Sequence, residues 1–213
     1  MIQSAADIFN KHASDYQSKF MDVSLYADTL DLFCEQLPPG AKVLELACGP
    51  GNITRYLLDK RPGLCILGTD IAPNMLELAK ANNPEASFQW LDCKDMSGIK
   101  DTYDAVMCGF CLPYLSGPES RKLISELGNR IKPGGTLYLS CMEENKHHQS
   151  GIKTNSHGDH IYVYYHTADQ LLESLSSNHF QLIELSRKQI AASDGSSTTE
   201  LMLIASKTGI TFE

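Results

Sequence analysis

The segment from Val43 to Thr54 constrains the fold more than any other part of the 213-residue sequence. An apolar run leads through Gly49 and Gly51 into an amphipathic stretch, which is the order of a strand, a glycine turn and a helix. Glycines let the backbone turn sharply and approach a ligand closely. Free N–H groups at the start of such a helix, near Asn52, favour a bound anionic group such as a carboxylate or a phosphate. The segment therefore predicts an α/β fold with a ligand at the end of its first strand.

Short apolar runs alternate with amphipathic segments along most of the chain. We predict strands over residues 42–47, 64–69, 87–91, 104–109 and 135–141. We predict helices over residues 53–60, 73–81 and 118–131, the last of them between a first-turn proline and the Pro-Gly-Gly stop at 133–135. This alternation is typical of βαβ units and of a mainly parallel sheet that is covered on both faces.

The two ends of the chain follow other patterns. Residues 1–37 are polar and helical in pattern, and Pro-Pro-Gly at 38–40 stops them. Residues 167–170 have capping-box spacing and open a helix, which is followed by strand-like runs at 180–190 and 199–207. Because the link over 191–198 is too short for a crossover helix, these last two strands should be antiparallel neighbours.

Charge and cysteine content narrow the classes of function and the compartment. A net charge of −8 opposes binding to a polynucleotide, because that binding depends on cationic side chains. The seven cysteines are odd in number and lack the spacing of a disulfide framework. The N-terminal residues have no signal-peptide pattern, and no apolar run approaches the roughly 18 residues that span a bilayer. We expect a soluble, cytoplasmic protein that binds neither nucleic acid nor membrane.

An acidic residue, Asp70, ends the second predicted strand and follows Gly49 by 21 positions. At such a strand tip a carboxylate can accept hydrogen bonds from both hydroxyls of a ribose. The alternative is an aspartate that caps the helix beginning at Pro73. Together with the glycine turn, Asp70 predicts a nucleoside-binding crevice.

Two other residues discriminate between nucleoside cofactors. The dinucleotide fingerprint requires a third glycine three positions after the second, and Thr54 stands there instead. Glu45 has no part in pyrophosphate binding, but its carboxylate suits a ligand with an ammonium or sulfonium charge. Thr54 and the terminal hairpin both argue against an NAD-dependent oxidoreductase.

The motif Glu45-Leu-Ala-Cys-Gly-Pro-Gly51 resembles the first motif of the class I S-adenosylmethionine-dependent methyltransferases, with Ala47 in place of the usual first glycine. Residues 91–96 resemble the third motif of that family, and residues 131–137 resemble its turn into strand five. The resemblance implies a doubly wound α/β fold with helices on both faces of a seven-stranded mixed sheet. Its strand order would be 3-2-1-4-5-7-6, with an antiparallel last strand.

The resemblance also implies roles for single residues. Asp70 would hold the ribose, Ile71 would pack on the adenine, and Asp92 would accept from the adenine amino group beside the N–H of Cys93. The residues expected to contact S-adenosyl-L-methionine or line its pocket are Tyr16, Glu45, Ala47, Cys48, Gly49, Gly51, Asp70, Ile71, Met75, Asp92, Cys93, Cys108 and Phe110.

We further expect residues 1–213 to form one methyltransferase domain in four parts. They are an N-terminal helical lid (1–37), a cofactor-binding half (38–142), a substrate-side insertion (143–166) and a C-terminal helix and hairpin (167–213). The N-terminal aromatic residues either pack on the edge of the sheet or close over the cofactor, with Tyr16 reaching its methionine carboxylate.

Clusters of cysteine and histidine allow other chemistries. Cys108 and Cys111 have the spacing of a redox pair, but their position after the fourth strand favours lining of the pocket. Five histidines crowd residues 147–166, and His157 and His160 have the spacing of metal ligands. We expect a solvated loop without a metal, because no cysteine or carboxylate stands at a regular offset. A histidine there can instead act as a general base, so the catalytic candidates are Tyr16, His157 and His160.

The predicted function is methyl transfer from S-adenosyl-L-methionine to a small-molecule acceptor, by in-line attack on the sulfonium methyl, which leaves S-adenosyl-L-homocysteine. The alternatives are methylation of a protein side chain, a non-catalytic protein that binds S-adenosylmethionine, and an NAD-dependent oxidoreductase. Methylation of nucleic-acid bases is disfavoured, because residues 111–114 lack the Asp- or Asn-Pro-Pro-Tyr motif of amino-methylating enzymes.

Overall fold

Seven strands form one mixed sheet in the computed structural model, which describes residues 2–191 and 197–209, and two more strands form a separate small sheet. In chain order the strands are β1 (Lys42–Leu46), β2 (Cys65–Asp70), β3 (Ser87–Trp90), β4 (Tyr103–Cys108), β5 (Ile131–Met142), β6 (Gly151–Thr154), β7 (His160–Val163), β8 (Phe180–Ala191) and β9 (Ser197–Lys207). The large sheet has the order β3-β2-β1-β4-β5-β9-β8, and β9 runs antiparallel to both neighbours. Counted within this sheet, that is the order 3-2-1-4-5-7-6, so the predicted fold class is confirmed.

Local sequence signals explain where the helices begin. The helices are α1 (Ala5–Lys11), α2 (Ala13–Phe20), α3 (Ala27–Glu35), α4 (Asn52–Lys60), α5 (Pro73–Asn82), α6 (Gly117–Gly128) and α7 (Ala168–Ser177). Ser116 and Glu119 form a capping box at the start of α6, and the Thr167 hydroxyl accepts from the N–H of Gln170 at the start of α7. Among residues 2–191 and 197–209, every helix is too short or too polar to cross a bilayer.

The buried strands alternate their side chains between two apolar cores, which explains why helices cover both faces. Leu44 of β1 belongs to a core that also holds apolar residues of α6 and α7. Its neighbour Val43 belongs to the opposite core, with residues of α3 and α4. Burial of both faces is what a parallel sheet requires, and it leaves the strand ends as the place where loops gather.

Two segments differ from the sequence-based expectation. α6 ends at Gly128 instead of 131, because Ile131 already pairs with Tyr103 as the first residue of β5. The register then shifts, which accommodates residues 132–135 as an irregularity in the strand. The insertion was expected to be a solvated loop, but it contains the antiparallel hairpin β6–β7. Most of the turn predicted over 191–198 lies outside the described residues.

Candidate cofactor site

A cavity of about 450 Å³ lies at the carboxyl ends of β1, β2 and β4, where the loops that follow these strands meet. Residues of α1, α2 and β7 cover it on the other side. The predicted cofactor residues that line it are Tyr16, Ala47, Gly49, Asp70, Ile71, Met75, Asp92, Cys93 and Phe110. Residues that stand far apart in the sequence therefore share one wall, because parallel strands present their carboxyl ends at the same edge of the sheet.

Four predicted cofactor residues do not line the cavity. Glu45 and Cys108 are buried within β1 and β4, and Cys48 and Gly51 are buried in the turn that follows β1. These four residues therefore lie behind the cavity wall and support the strands and the turn that form it.

Asp70 is the acidic group at the centre of this wall. Its Oδ2 accepts from the N–H of Gly49 at 2.9 Å, and its Oδ1 accepts from the N–H of Ala72 at 2.8 Å. Each oxygen keeps a second lone pair for a ligand. Burial raises the pKa of Asp70, while these backbone N–H groups oppose the rise. The aspartate thus fastens the turn after β2 and also lines the cavity, while the N-cap residue of α5 is Ala72 and not Asp70.

Glu45 has a partner inside the protein. Its Oε2 accepts a hydrogen bond of 2.5 Å from the Thr54 hydroxyl on α4, and both side chains are fully enclosed. Burial raises the pKa of Glu45 to about 8. Thr54 occupies the position where the dinucleotide motif needs glycine, and its hydroxyl is satisfied in the helix–strand interface by Glu45.

The turn after β1 needs left-handed backbone at three positions. Ala47, Gly49 and Gly51 have φ values of 52°, 54° and 78°. A Cβ on Gly51 would collide with the side chain of Asn83, whose amide donates to the Gly51 carbonyl at 3.0 Å. Gly51 is therefore required for packing against α5, whereas a Cβ on Gly49 would only touch the Tyr16 ring at 3.7 Å, an ordinary contact distance.

Cys111 contacts a cysteine that the sequence spacing did not indicate. The Cys111 thiol lies 3.2 Å from the Cys93 sulfur, and both residues line the cavity. A hydrogen bond with Cys108, together with burial, raises the pKa of Cys111 well above its ordinary value. A reactive redox cysteine needs a lowered pKa, so the arrangement favours protonated thiols that line the pocket.

Aromatic side chains form the roof of the cavity. The Phe9 ring meets Tyr16 edge-on at a centroid distance of 5.7 Å and Tyr114 at 5.0 Å. Phe9, Ile161, Tyr162 and Tyr164 line the cavity and were missed by the sequence analysis. The alternation of residues 160–164 was the available signal, because it is typical of a strand with one buried face.

The three catalytic candidates fall in different places. Tyr16 lines the cavity, and burial together with the charges of Asp70 and Glu200 raises its pKa to about 12. His157 stacks on His12 outside the cavity lining. His160 also lies outside the lining, and its Nδ1 is 2.9 Å from the Thr154 hydroxyl.

The sheet order, the glycine turn and the acid at the tip of β2 together define the fold of the class I S-adenosylmethionine-dependent methyltransferases. Residues 43–135 match the model of a methyltransferase domain family. The fold and this match support the resemblance seen in the sequence motifs.

Curated relatives match about half of the chain. A trans-aconitate 2-methyltransferase of Variovorax paradoxus is 32% identical over 110 residues, which are 52% of this chain and 41% of that protein. A ubiquinone biosynthesis O-methyltransferase of Xanthomonas campestris pv. campestris is 32% identical over 111 residues, or 49% of this chain and 44% of that protein. The chain thus spans less than half of the length of these relatives.

Solved structures match most of the chain, at low sequence identity. The magnesium protoporphyrin IX methyltransferase of Synechocystis PCC 6803 with bound SAH has a TM-score of 0.71 and 18% identity, covering 95% of this chain and 98% of that one. An S-adenosylmethionine-dependent methyltransferase of Methanosarcina mazei has a TM-score of 0.72 and 20% identity, covering 83% and 97%. At these identities the likeness establishes the fold.

Proposed function

We propose that this protein binds S-adenosyl-L-methionine in the cavity and transfers its methyl group to a small-molecule acceptor. The observation that carries the proposal is the arrangement of Asp70, whose two oxygens are each held by a backbone N–H and each keep a free lone pair. A fixed, buried carboxylate of this kind suits a ribose diol, which offers two hydroxyl donors side by side.

The neighbouring residues suit the other parts of the same cofactor. Ile71 and Met75 offer an apolar surface for adenine, and Asp92 offers a carboxylate oxygen for its amino group. The Tyr16 hydroxyl keeps its proton at neutral pH, because its pKa is near 12, so it can donate to the methionine carboxylate. The bound cofactor supplies an electrophilic methyl group on a sulfonium sulfur.

The acceptor must give up a proton without help from a histidine or an ionised tyrosine of the described cavity lining. The described lining contains no histidine, and Tyr16 stays protonated at neutral pH because its pKa is raised to about 12. Positioning of the acceptor is then the main contribution of the protein, and good alignment is worth about 7–11 kcal/mol in favourable cases. We therefore favour a thiol, which ionises in solvent, or an amine, whose ammonium form loses its proton to solvent, over an alcohol.

Charge restricts the acceptor further. Lys94 is the cation of the described lining, and its Nζ already pairs with Glu119 at 2.9 Å. A polycarboxylate such as trans-aconitate would meet Asp70 and Asp92 without a free partner of opposite charge. The aromatic roof suits instead a flat acceptor that is uncharged or cationic.

The N-terminal segment acts as the lid of the site in this proposal. It contributes Phe9 and Tyr16 to the roof, and its backbone is joined to the insertion, since the N–H of Gln3 donates to the carbonyl of His160 at 2.9 Å. Closure over the cofactor would exclude water from the sulfonium. A cytoplasmic location is part of the proposal, because all seven cysteines are free thiols.

Calorimetry and an acceptor panel test this function. We expect S-adenosylhomocysteine to bind and NAD to give no heat, and failure of S-adenosylhomocysteine to bind at millimolar concentration would overturn the proposal. Release of S-adenosylhomocysteine should then be measured with amines, thiols, phenols, carboxylic acids and peptides. Turnover with peptides alone would favour methylation of a protein side chain. Binding without any turnover would favour a non-catalytic protein, and turnover confined to polycarboxylates would refute the argument from charge.

A further inference from the structure

A cluster of metal-binding side chains lies outside the cavity, where the N-terminal segment meets the insertion. His12 stands between α1 and α2, Asp15 lies in α2, and His157 lies in the turn between β6 and β7. Asp15 Oδ2 is 3.7 Å from His12 Nδ1 and 3.6 Å from His157 Nε2. Two imidazoles and a carboxylate thus place one ligand atom each within 4.8 Å of the others.

A second carboxylate orients the first of these histidines. Asp159 Oδ2 lies 2.6 Å from His12 Nε2. Lys11 Nζ donates to the other oxygen of this carboxylate, Asp159 Oδ1, at 3.0 Å. With the ring proton on Nε2, the lone pair available to a metal is on Nδ1, the atom that faces Asp15. A carboxylate behind a histidine in this way is the usual support of a metal ligand.

We propose that His12, Asp15 and His157 bind a divalent transition metal ion of the zinc class, with Asp159 positioning His12. Tetrahedral coordination at bond lengths of about 2.0–2.1 Å separates ligand atoms by roughly 3.3 Å, which is a little less than the distances found here. The His12 and His157 rings are stacked at 4.0 Å, so one of them must turn to point at a shared ion. His157 has that freedom, because 41% of its side-chain surface is exposed.

The ion would fasten the roof of the cavity. Its ligands come from the same two segments that contribute Phe9 and Ile161 to the cavity lining. A metal bound by both would hold them together and favour the closed arrangement. Water would complete the coordination, because three protein ligands leave one tetrahedral position open.

Zinc titration of the full chain after treatment with a chelator tests the proposal. We expect one site by calorimetry and a rise in the melting temperature on addition of zinc. His157→Gln should weaken zinc binding at least tenfold, and Asp159→Asn should weaken it about 10- to 100-fold although Asp159 is not a ligand. His160→Gln is the matched control, because His160 lies close by, pairs with Thr154 and should leave zinc affinity unchanged.

Two results would overturn the metal site. One is the absence of any zinc site tighter than millimolar in the wild-type chain. The other is equal zinc affinity in the wild type and His157→Gln, which would indicate binding at the cysteines or at other histidines. Circular dichroism of each variant without metal checks that it is folded. S-adenosylhomocysteine affinity measured in the presence of the chelator tests the proposed function separately.

Discussion

Replacement of Asp70 by alanine should weaken S-adenosylhomocysteine binding about 10- to 100-fold. The carboxylate offers one free lone pair on each oxygen to the ribose hydroxyls, and each charge-assisted hydrogen bond is worth roughly 1.5–3 kcal/mol. Water satisfies both oxygens in the free protein and offsets part of this gain. A net loss of about 1.4–2.7 kcal/mol remains, which corresponds to the stated range of affinity.

The same substitution should also lower the stability of the free protein. Asp70 accepts from the N–H groups of Gly49 and Ala72, and removing this acceptor leaves two partly enclosed donors unpaired. We expect a loss of about 1–3 kcal/mol in the free energy of unfolding, measured by urea denaturation without ligand. Because the two effects are measured separately, weak binding through misfolding can be recognised.

Asp59→Ala is the matched control for this experiment. It removes the same charge from an exposed position on α4, where Asp59 pairs with Arg55. Titration calorimetry at fixed pH and salt should give wild-type affinity for this variant. An unchanged affinity in a folded Asp70→Ala protein would show that Asp70 does not hold the ribose. Equal weakening of S-adenosylhomocysteine binding in Asp70→Ala and Asp59→Ala would show that the loss comes from the change in net charge and not from a contact of Asp70.

Three further predictions follow from the interior of the site. Burial raises the pKa of Glu45 from 4.5 to about 8, so between these pH values Glu45 is protonated in the folded protein and ionised in the unfolded chain. The free energy of unfolding should therefore fall as pH rises over this range, by at most about 1.4 kcal/mol per pH unit. Urea unfolding over this range should show the slope, and Glu45→Gln should reduce it. Gly51→Ala should lower the free energy of unfolding by about 2–4 kcal/mol, because the strain of left-handed backbone adds to the collision with Asn83. Gly63→Ala is the control: it has the backbone strain without a collision and should lower the free energy of unfolding by about 1–2 kcal/mol. Tyr16→Phe keeps the ring packing, so it should leave the melting temperature unchanged and weaken S-adenosylhomocysteine binding about tenfold.

Each of these predictions has an opposing result. An equal pH slope in the wild type and Glu45→Gln would mean that another group titrates. Equal losses in Gly51→Ala and Gly63→Ala would show that the contact with α5 relaxes at little cost. Wild-type S-adenosylhomocysteine affinity in Tyr16→Phe would show that the Tyr16 hydroxyl does not contact the ligand.

Local patterns were sufficient to predict the sheet, including its antiparallel end. The glycine turn, the proline at the start of α5 and the capping residues of α6 and α7 act within a few residues, so the sequence displays them directly. The parallel sheet then brings Gly49 and Asp70 together, because its strands end at a common edge. The end of α6 was the exception, since the start of β5 depends on pairing with a distant strand.

Sequence patterns alone predicted the strands and the acid at the tip of β2, and the resemblance of the motifs to the methyltransferase family implied the strand order. Only the tertiary structure decided what faces the cavity and what does not. Glu45 accepts a hydrogen bond from the Thr54 hydroxyl inside the protein and does not face a ligand. His157 stacks on His12, which stands 145 positions earlier in the sequence, and does not enter the cavity. The roof combines residues of α1, α2 and β7. The physical reason is that a motif records the neighbours of a residue along the chain, whereas side-chain orientation and pKa depend on partners from distant segments.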